Sequence, residues 1–309
     1  MRMAQPKVFV CGVTGTQGGA VARSLRSQNV AVTALARDPS SPQAQAIKAL
    51  GVELFPGNFD DSSALARALA GCTAAFLNFS PDFNDWTAEL RWAKSIIASA
   101  RNAGAKHILY SSGFAVNAPE KLQYWDPNSV MAIVLLSKQS IEKEVRGAGF
   151  DYWTILRPGN FMANYLPPKV MMYGDFPQSG VWHTALLKET KLPMIDEDTI
   201  GRFTSAAILN PTKFTGQEIE LADELLGPEQ ILEELSATAG RQLKAEYMSD
   251  AVIEEKKSNP FILGQFAMRD MVQFVDMEKV KSWGVPLSSF NAYLQREKDH
   301  IKETYQQAA

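Results

Sequence analysis

The sequence predicts an α/β fold, in which a doubly wound parallel sheet is joined to a smaller, mainly helical C-terminal lobe. Short apolar runs alternate with helix-like segments from the N-terminus to about residue 156. The runs are apolar on both faces, as expected for parallel strands covered by helices on both sides. A glycine-rich turn, Gly12–Gly19, separates the first run from the first helix-like segment. Such an order requires right-handed crossovers between neighbouring parallel strands.

The predicted strands are short, and a helix separates most of them. Six strands are expected at 7–11, 30–36, 52–55, 74–77, 107–110 and 152–156, and a seventh at 218–221. Helices are expected at 20–25, 43–50, 62–70, 86–103, 129–146 and 198–209. Gly104 and Gly147 end two of these helices, since glycine readily adopts the left-handed conformation that follows a last helical turn.

The alternation stops at Arg157-Pro158-Gly159. From there to about residue 193 the chain is rich in Pro, Met, Trp, Tyr and Gly, which favours an irregular lobe over another strand and helix. Further helices are expected at 229–239, 251–257 and 288–305. We therefore predict a sheet domain of residues 1–157 with a returning segment at about 194–222, and a second lobe of residues 158–193 and 223–309.

The glycine turn predicts a dinucleotide site. Gly12 lets the chain leave the strand sharply, Gly15 lets backbone amides approach a pyrophosphate, and Gly18 lets the helix pack closely on the sheet. The amides and the positive dipole end of that helix then face the phosphates. An ordinary strand-to-helix connection is the alternative, but a glycine triplet between strand and helix favours a cofactor. The other turn residues expected at this cofactor are Thr14, Thr16 and Gln17.

Arg37 indicates which dinucleotide is bound. In a Rossmann sheet of this kind, an acidic residue about 20 positions after the glycines usually binds the adenosine ribose of NAD. Arg37 stands at that place, and a guanidinium binds a 2′-phosphate through paired, charge-assisted hydrogen bonds. The sequence therefore favours NADP(H). In the alternative, Arg37 is a surface residue and Asp38 binds the ribose.

Polar residues after the third and fourth strands are further candidates for cofactor binding. Asp60 and Asp61 follow the third strand beside the expected adenine, although capping of the next helix by Asp61 or Ser62 explains them equally well. The fourth strand ends at the switch point of the sheet, which is where dinucleotides lie. The candidates there are Asn78, Phe79 and Ser80.

Composition excludes several classes of function. The formal net charge of −3, without a basic and aromatic stretch, argues against direct binding of nucleic acid. Cys11 and Cys72 are too few for a disulfide framework and indicate a reducing compartment. No pair of residues has metal-ligand spacing, so no catalytic metal is expected. Neither a secretory signal nor a membrane-spanning run is evident, so we expect a cytoplasmic protein without membrane contact.

Several motifs together resemble the NmrA-like branch of the atypical short-chain dehydrogenase/reductases. The match runs from the N-terminus to about Leu166 and more loosely beyond it. That family contains NADPH-dependent reductases, similar to isoflavone and quinone reductases, and regulators that bind NADP(H) to sense redox state. The motifs are Gly12-x-x-Gly15-x-x-Gly18, Ala36-Arg37-Asp38-Pro39, Gly57-Asn58-Phe59-Asp60-Asp61, Ser111-Ser112, Lys138 and Leu156-Arg157-Pro158-Gly159-Asn160-Phe161.

The resemblance implies roles for individual residues. The glycine turn would hold the pyrophosphate and Arg37 the 2′-phosphate, with Asp60 and Asp61 near the adenine. Arg91 would lie with Asn78–Ser80 along the middle of the cofactor, although a helix-surface arginine explains it equally well. Four consecutive residues would close over the nicotinamide side: Phe161, Met162, Ala163 and Asn164.

The catalytic centre departs from the family pattern. Typical members carry a tyrosine, the general acid, four residues before the active-site lysine, and here Val134 precedes Lys138 by four. Lys138 follows a strongly apolar segment, so its ammonium should have a partner or a task. The resemblance implies that Lys138 holds the nicotinamide ribose, transfers a proton or does both, and Ser112 stands where the family's catalytic serine or threonine lies. More speculative proton donors are Tyr124, Tyr165, Tyr173 and His183.

These observations together favour an NADPH-dependent oxidoreductase that reduces a carbonyl or conjugated double bond of an apolar or aromatic small molecule. Apolar residues of the second lobe would line the substrate pocket, unless they form the core of that lobe. They are Phe161, Met162, Tyr165, Met171, Met172, Tyr173, Phe176 and Trp182. The missing tyrosine favours one alternative, a catalytically silent NADP(H) sensor with a protein partner. A redox-neutral isomerase or cyclase is another, because the fold does not fix the chemistry.

Overall fold

The computed structural model describes residues 6–256 and 259–306, and its largest element is a seven-stranded sheet. The strands of the molecule are β1 (Lys7–Val10), β2 (Ala31–Ala36), β3 (Glu53–Pro56), β4 (Ala74–Asn78), β5 (His107–Ser111), β6 (Tyr152–Pro158), β7 (Asn160–Phe161), β8 (Val181–Thr184), β9 (Leu192–Ile195), β10 (Gln217–Leu221), β11 (Glu224–Leu226) and β12 (Lys244–Tyr247). In the large sheet the order is β10-β6-β5-β4-β1-β2-β3. Neighbours from β3 to β6 are parallel, so the sheet is doubly wound with its switch point between β1 and β4.

Helices follow most of the strands of this sheet. The α-helices of both parts of the described chain are α1 (Thr16–Ser27), α2 (Pro42–Ala49), α3 (Ser62–Leu69), α4 (Ala88–Asn102), α5 (Val130–Gly147), α6 (Phe176–Ser179), α7 (Glu197–Leu209), α8 (Pro211–Phe214), α9 (Pro228–Ala239), α10 (Asp250–Lys256), α11 (Pro260–Asp270), α12 (Met277–Ser282), α13 (Phe290–Arg296) and α14 (Lys298–Thr304). The α/β class and the seven strands predicted for the sheet are confirmed, with ends that differ by one or two residues.

Two of the predicted C-terminal helices lie where the structure has α10 and the pair α13 and α14. The predicted helix at 251–257 corresponds to α10, and its last residue, Lys257, lies outside the described residues. The prediction of one helix at 288–305 is wrong, because Glu297 has φ −97° and ψ 16° and divides the segment into α13 and α14. A single residue with a non-helical ψ interrupts the helix although the apolar spacing continues.

The chain divides into two compact units. The first consists of the residues up to Val116, Ile133–Arg157 and Glu197–Ile219. The second consists of Asn117–Ala132, Pro158–Asp196 and the residues from Glu220 onward. Each unit has a core cluster of its own.

In the first unit, a glycine brings two helices close together, and apolar residues of strands and helices form the core. A Cβ atom on Gly201 of α7 would lie 2.7 Å from the Ala20 carbonyl oxygen of α1, so only glycine fits at this contact. The buried core includes Phe9, Leu77 and Ile141. This packing fixes the ends of β1, β4 and β5, where the candidate site lies.

A buried ion network joins α5 to the edge of this sheet. Arg157 of β6 and Glu142 of α5 have side chains that are only 1 % exposed, and Arg157 donates from Nε and Nη2 to the two Glu142 oxygens at 2.9 and 2.8 Å. Glu218 of β10 accepts from Arg157 and from Arg146. Charges buried in this way are tolerated because each has partners, and removing one partner leaves the other uncompensated.

The second unit is more regular than the sequence indicates. Its strands form the sheets β11-β9-β7 and β12-β8, so the prediction of an irregular segment up to about 193 is wrong where β7, β8 and β9 lie. These strands are two to four residues long. Because β9 pairs with β11 and β8 with β12, their partners are distant in sequence, and a local pattern does not reveal them.

Within residues 6–256 and 259–306, no helix combines the length and the apolar character that crossing a bilayer requires.

Candidate functional site

The turn after β1 presents its backbone at the start of α1. Gly12 has φ +60°, a conformation that favours glycine, and the Gly15 amide donates to its carbonyl at 2.9 Å. Gly15 is the N-cap of α1 and has no side chain with which to cap the helix. Thr14, Gly15 and Thr16 are exposed. The first amides of α1 are therefore accessible to an anion, and the positive end of the helix dipole lies behind them.

Gly18 makes the turn tight. A Cβ atom at this position would lie 2.3 Å from the Gly12 carbonyl oxygen and 2.5 Å from that of Cys11. Both neighbours are backbone atoms of the turn itself, so the first turn of α1 lies directly against the end of β1. Close contact with the turn therefore requires glycine at position 18.

Two side chains fasten the turn to the adjacent strands. Asn78 donates from Nδ2 to the Cys11 carbonyl at 2.9 Å, and a Cβ atom on Gly12 would lie 3.2 Å from its Oδ1. Gln17 accepts a hydrogen bond from the Ser111 hydroxyl at 2.6 Å. Asn78 and Gln17, both predicted to bind the cofactor, lie at the turn and hold its shape.

Arg37 lies exposed directly after β2, and the described part of the chain offers its guanidinium neither a hydrogen bond nor an ion pair. The Asp38 carboxylate instead accepts from the Ser40 hydroxyl at 2.5 Å and from the Ser40 amide at 2.9 Å. These bonds to Ser40 hold the pKa of Asp38 below its usual value. Ser40 therefore engages one oxygen of Asp38, whereas Arg37 has all its donors available for a phosphate.

The acidic residues after β3 have partners within the protein. Asp61 caps α3 by accepting from the amides of Ser63 and Ala64 at 3.0 and 2.9 Å. Asp60 accepts from Arg91 at 3.0 Å, and this bond, followed by one from Trp92, lowers the pKa of Asp60.

Arg91 connects two of the loops around the predicted adenine position. Besides Asp60 it binds Asp85 at 2.7 Å, and the side chains of Arg91 and Asp85 are 46 % and 39 % exposed. Hydrogen bonds, first from the Thr87 hydroxyl and then from Arg91, lower the pKa of Asp85 to about 2. Arg91 therefore joins the turn after β3 to the loop after β4.

Lys138 has the partner that its position requires. Its Nζ lies 3.2 Å from Glu89 Oε1 of α4 and 3.4 Å from the Phe79 carbonyl oxygen, just after β4. The side chains of Lys138 and Glu89 are 12 % and 4 % exposed. Sequence reasoning missed Glu89, which is 49 positions away on another helix. The available signal was an acidic residue in the first turn of a helix that is otherwise packed by alanine and isoleucine.

Ser112 follows the end of β5, and the next residue, Gly113, lies close to this lysine: a Cβ atom on Gly113 would lie 3.7 Å from Lys138 Cδ. Ser112 is 6 % exposed. Within the described part of the chain its hydroxyl makes no hydrogen bond of normal geometry, although its interaction with the Tyr110 hydroxyl partly opposes the rise in the pKa of Tyr110. A buried hydroxyl without a well-formed hydrogen bond is costly, which makes Ser112 suited to bind a ligand oxygen.

Tyr110, two residues earlier on β5, does not replace the missing tyrosine. Its side chain is fully buried, and burial first, then the negative charges of Glu89 and Glu142, raise the pKa of Tyr110 well above its usual value, with a smaller opposing effect of Ser112. A phenol in this environment retains its proton, and is therefore a poor general acid.

The two halves of the candidate site meet at two consecutive residues. Asn78 holds the glycine turn, and the carbonyl of Phe79 accepts from Lys138. Phe79 is buried against Trp92 and Tyr110, and Ser80 is exposed beyond it. This end of β4 is the switch point of the sheet, which is where dinucleotides bind in doubly wound sheets.

The remaining predicted residues lie in the second unit. Phe161 ends β7 and is partly exposed, Met162 is fully buried, Ala163 is partly buried, and Asn164 donates to Asn160 at 3.0 Å. Four residues proposed as pocket lining lie in the core of this unit: Met162, Tyr165, Phe176 and Trp182.

The other proton-donor candidates are also found in the second unit. Tyr124 stacks on Phe266 with ring centroids 4.6 Å apart, and Tyr173 stacks on Tyr165 at 5.7 Å. His183 is 52 % exposed and lies 3.5 Å from Glu246. These contacts are those of packing and surface residues.

Comparison with known proteins identifies the family. The sequence model described as the NmrA-like family matches residues 4–297. The chain belongs to the NmrA-like family. A relative within this family, the NmrA-like family domain-containing oxidoreductase himF of Aspergillus japonicus, is 26 % identical over 271 residues, which cover 82 % of this chain and 80 % of himF.

Two solved structures share the fold. The NADPH-dependent quinone oxidoreductase QOR2 of Escherichia coli, in complex with NADPH, has a TM-score of 0.69 and 22 % identity, covering 94 % of this chain and 99 % of QOR2. NmrA, a negative transcriptional regulator, in complex with NADP has a TM-score of 0.64 and 18 % identity, covering 98 % of this chain and 92 % of NmrA. At these identities the comparisons establish the architecture.

Proposed function

We propose that this chain is an NADPH-dependent oxidoreductase that reduces a carbonyl or conjugated double bond of an apolar or aromatic small molecule. One observation carries the proposal: Asn78 and Phe79, adjacent at the end of β4, contact a phosphate-binding turn and a buried lysine respectively. The name of himF, an oxidoreductase of the same family, and the NADPH complex of the fold relative QOR2 support it.

In this proposal the adenine half of NADP(H) is held by backbone amides and one guanidinium. The exposed amides of Gly15 and Thr16 face the pyrophosphate. Arg37, exposed after β2, pairs with the 2′-phosphate through charge-assisted hydrogen bonds. Ser40 already occupies one oxygen of Asp38, whereas the donors of Arg37 are all available, so Arg37 is favoured over the ribose-binding alternative for Asp38.

The nicotinamide half is assigned to Lys138 and Ser112. Bound NADPH supplies the hydride. Lys138 donates to a ribose hydroxyl with an N–H that neither Glu89 nor Phe79 occupies. The buried Ser112 hydroxyl donates to the substrate oxygen and passes a proton to it from Lys138 or water.

A regulatory role is the second candidate. Val134 occupies the place of the usual tyrosine, and Tyr110 does not replace it as an acid. NmrA, a negative transcriptional regulator with the same fold, binds NADP. In this version the same residues bind NADP(H), and the readout is a protein partner that distinguishes the oxidised from the reduced cofactor.

The test is consumption of NADPH by the purified chain with a panel of quinones, enones and imines. We expect turnover with at least one aromatic member, a loss of about a hundredfold in kcat in Lys138→Ala and a smaller loss in Ser112→Ala. Lys94→Ala, which removes an exposed lysine of α4, is the matched control and should retain full activity. Activity that survives Lys138→Ala undiminished would contradict the assigned role of the lysine.

The same preparation separates the reductase from the sensor. If no panel member is reduced while NADP and NADPH bind with different affinities, the regulatory role is favoured. Binding of both cofactors with equal affinity and no turnover contradicts both candidates.

A further inference from the structure

We propose that Glu89 is a positioning residue that neutralises the Lys138 ammonium and directs it toward the cofactor, an inference that rests on the proposed binding of NADP(H). The pair joins α4 to α5 across the ends of β4 and β5, at 3.2 Å. Glu89 is 4 % exposed, so its carboxylate has little access to water. A carboxylate buried this deeply requires a cation, and Lys138 supplies it.

The hydrogen bonds of Lys138 leave one donor for a ligand. An ammonium has three N–H donors and no acceptor. One N–H donates to Glu89 and a second to the Phe79 carbonyl, and among the described residues the third has no acceptor. Since two contacts on different elements fix the nitrogen, the direction of the third N–H is fixed as well. Without Glu89, the lysine retains only a 3.4 Å contact with one carbonyl.

The charges around the pair make Glu89 the direct counter-ion of Lys138. Tyr110 of β5 faces the same space and retains its proton, because burial and the two nearby carboxylates raise its pKa. Glu142 lies four residues after Lys138 on α5, but it is bound by Arg157 and Arg146. Arg91 of α4 is committed to Asp60 and Asp85. Glu89 is therefore the carboxylate that neutralises Lys138 directly.

The experiment is calorimetric titration of NADP into the wild type, Glu89→Gln and Glu89→Asp. Glutamine keeps the shape and one acceptor but removes the charge, whereas aspartate keeps the charge on a shorter side chain. We expect E89Q to bind NADP about tenfold more weakly than the wild type, because the charge-assisted hydrogen bond that holds the lysine nitrogen is lost. E89D should recover part of this affinity.

Two controls separate positioning from general stability. Glu144→Gln removes a 40 % exposed carboxylate that pairs with Lys94 between the same two helices, and should leave the NADP affinity unchanged. In a Lys138→Met background, E89Q should have no further effect on NADP affinity, since Glu89 acts through the lysine. If E89Q does not fold, Glu89→Asp in both backgrounds tests the same idea, because it should lower the affinity only where Lys138 is present.

Two outcomes overturn the inference while leaving the proposed function intact. One is an E89Q variant whose NADP affinity equals that of the wild type. The other is an E89Q effect of equal size with and without Lys138. Failure of the wild type itself to bind NADP would overturn both the proposed function and this inference.

Discussion

The two halves of the candidate site differ in solvent exposure and in the chemical groups that they present. The turn between β1 and α1 is open to solvent and offers backbone amides, with Thr14 and Thr16 exposed. The lysine half is closed and depends on charges, with Glu89 and Lys138 buried against each other. Backbone amides need space and the conformational freedom of glycine, whereas buried charges need partners from several elements. Substitutions should therefore harm the two halves for different physical reasons.

The largest expected effect is on the free energy of unfolding, through the buried ion network of Arg157, Glu142 and Glu218. Arg157→Met leaves Glu142, which is 1 % exposed, without its bidentate partner, and should lower the free energy of unfolding by about 3 to 5 kcal/mol. Arg146→Met removes a partner that is 34 % exposed and serves as the control, with a loss of about 1 kcal/mol or less. Urea unfolding measures both. Equal losses would show that burial does not set the cost.

In the turn half, the largest expected effect is steric. Gly18→Ala places a methyl group 2.3 Å from the Gly12 carbonyl oxygen, and should cost about 3 kcal/mol and abolish NADP binding. Gly147→Ala, at the end of α5, meets no atom within 4 Å and should be neutral or slightly stabilising. Thermal unfolding and calorimetry compare the two variants. Cofactor binding by a folded G18A variant at wild-type affinity would contradict the tight turn.

A smaller expected effect concerns the pH dependence of stability, at a residue of β5 outside the candidate site. His107 begins β5, five residues before Ser112, and burial lowers its pKa from 6.5 to about 4. Because the unfolded chain takes up the proton first, the folded state should lose about 2 kcal/mol as the pH falls from about 8 to about 5. His107→Phe, which keeps the ring contact with Tyr152, should lack this loss.

The control for this prediction has the opposite sign. His300 is 70 % exposed, and its hydrogen bond with Glu297 raises its pKa, so any stabilisation from this residue is present at low pH and lost as the pH rises. His300→Gln should therefore leave the acid-side loss in place. Urea unfolding at several pH values measures this. A wild type that is equally stable at about pH 5 and about pH 8 would contradict the assignment to His107.

How far sequence predicts each half follows from this difference. Gly12, Gly15 and Gly18 are close in sequence and between a strand and a helix, so their pattern is local and the turn was predictable. The apolar periodicity predicted the sheet for the same reason. Lys138 was predictable as a buried cation in need of a partner, but Glu89 was not, because their contact forms only when α4 and α5 pack on the sheet. The strands β8, β9, β11 and β12 escaped prediction because they are short and their partners are distant in sequence.

The measurement that tests the central claim most directly is calorimetric titration of NADPH and NADH into the wild type, Arg37→Ala and Arg23→Ala. The wild type should prefer NADPH, and Arg37→Ala should lose about ten- to thirtyfold in NADPH affinity without change for NADH. Arg23→Ala, which removes an exposed α1 guanidinium paired with Asp198, should keep the preference. No binding of either cofactor at about 1 mM, or an unchanged NADPH preference in Arg37→Ala, would contradict the account.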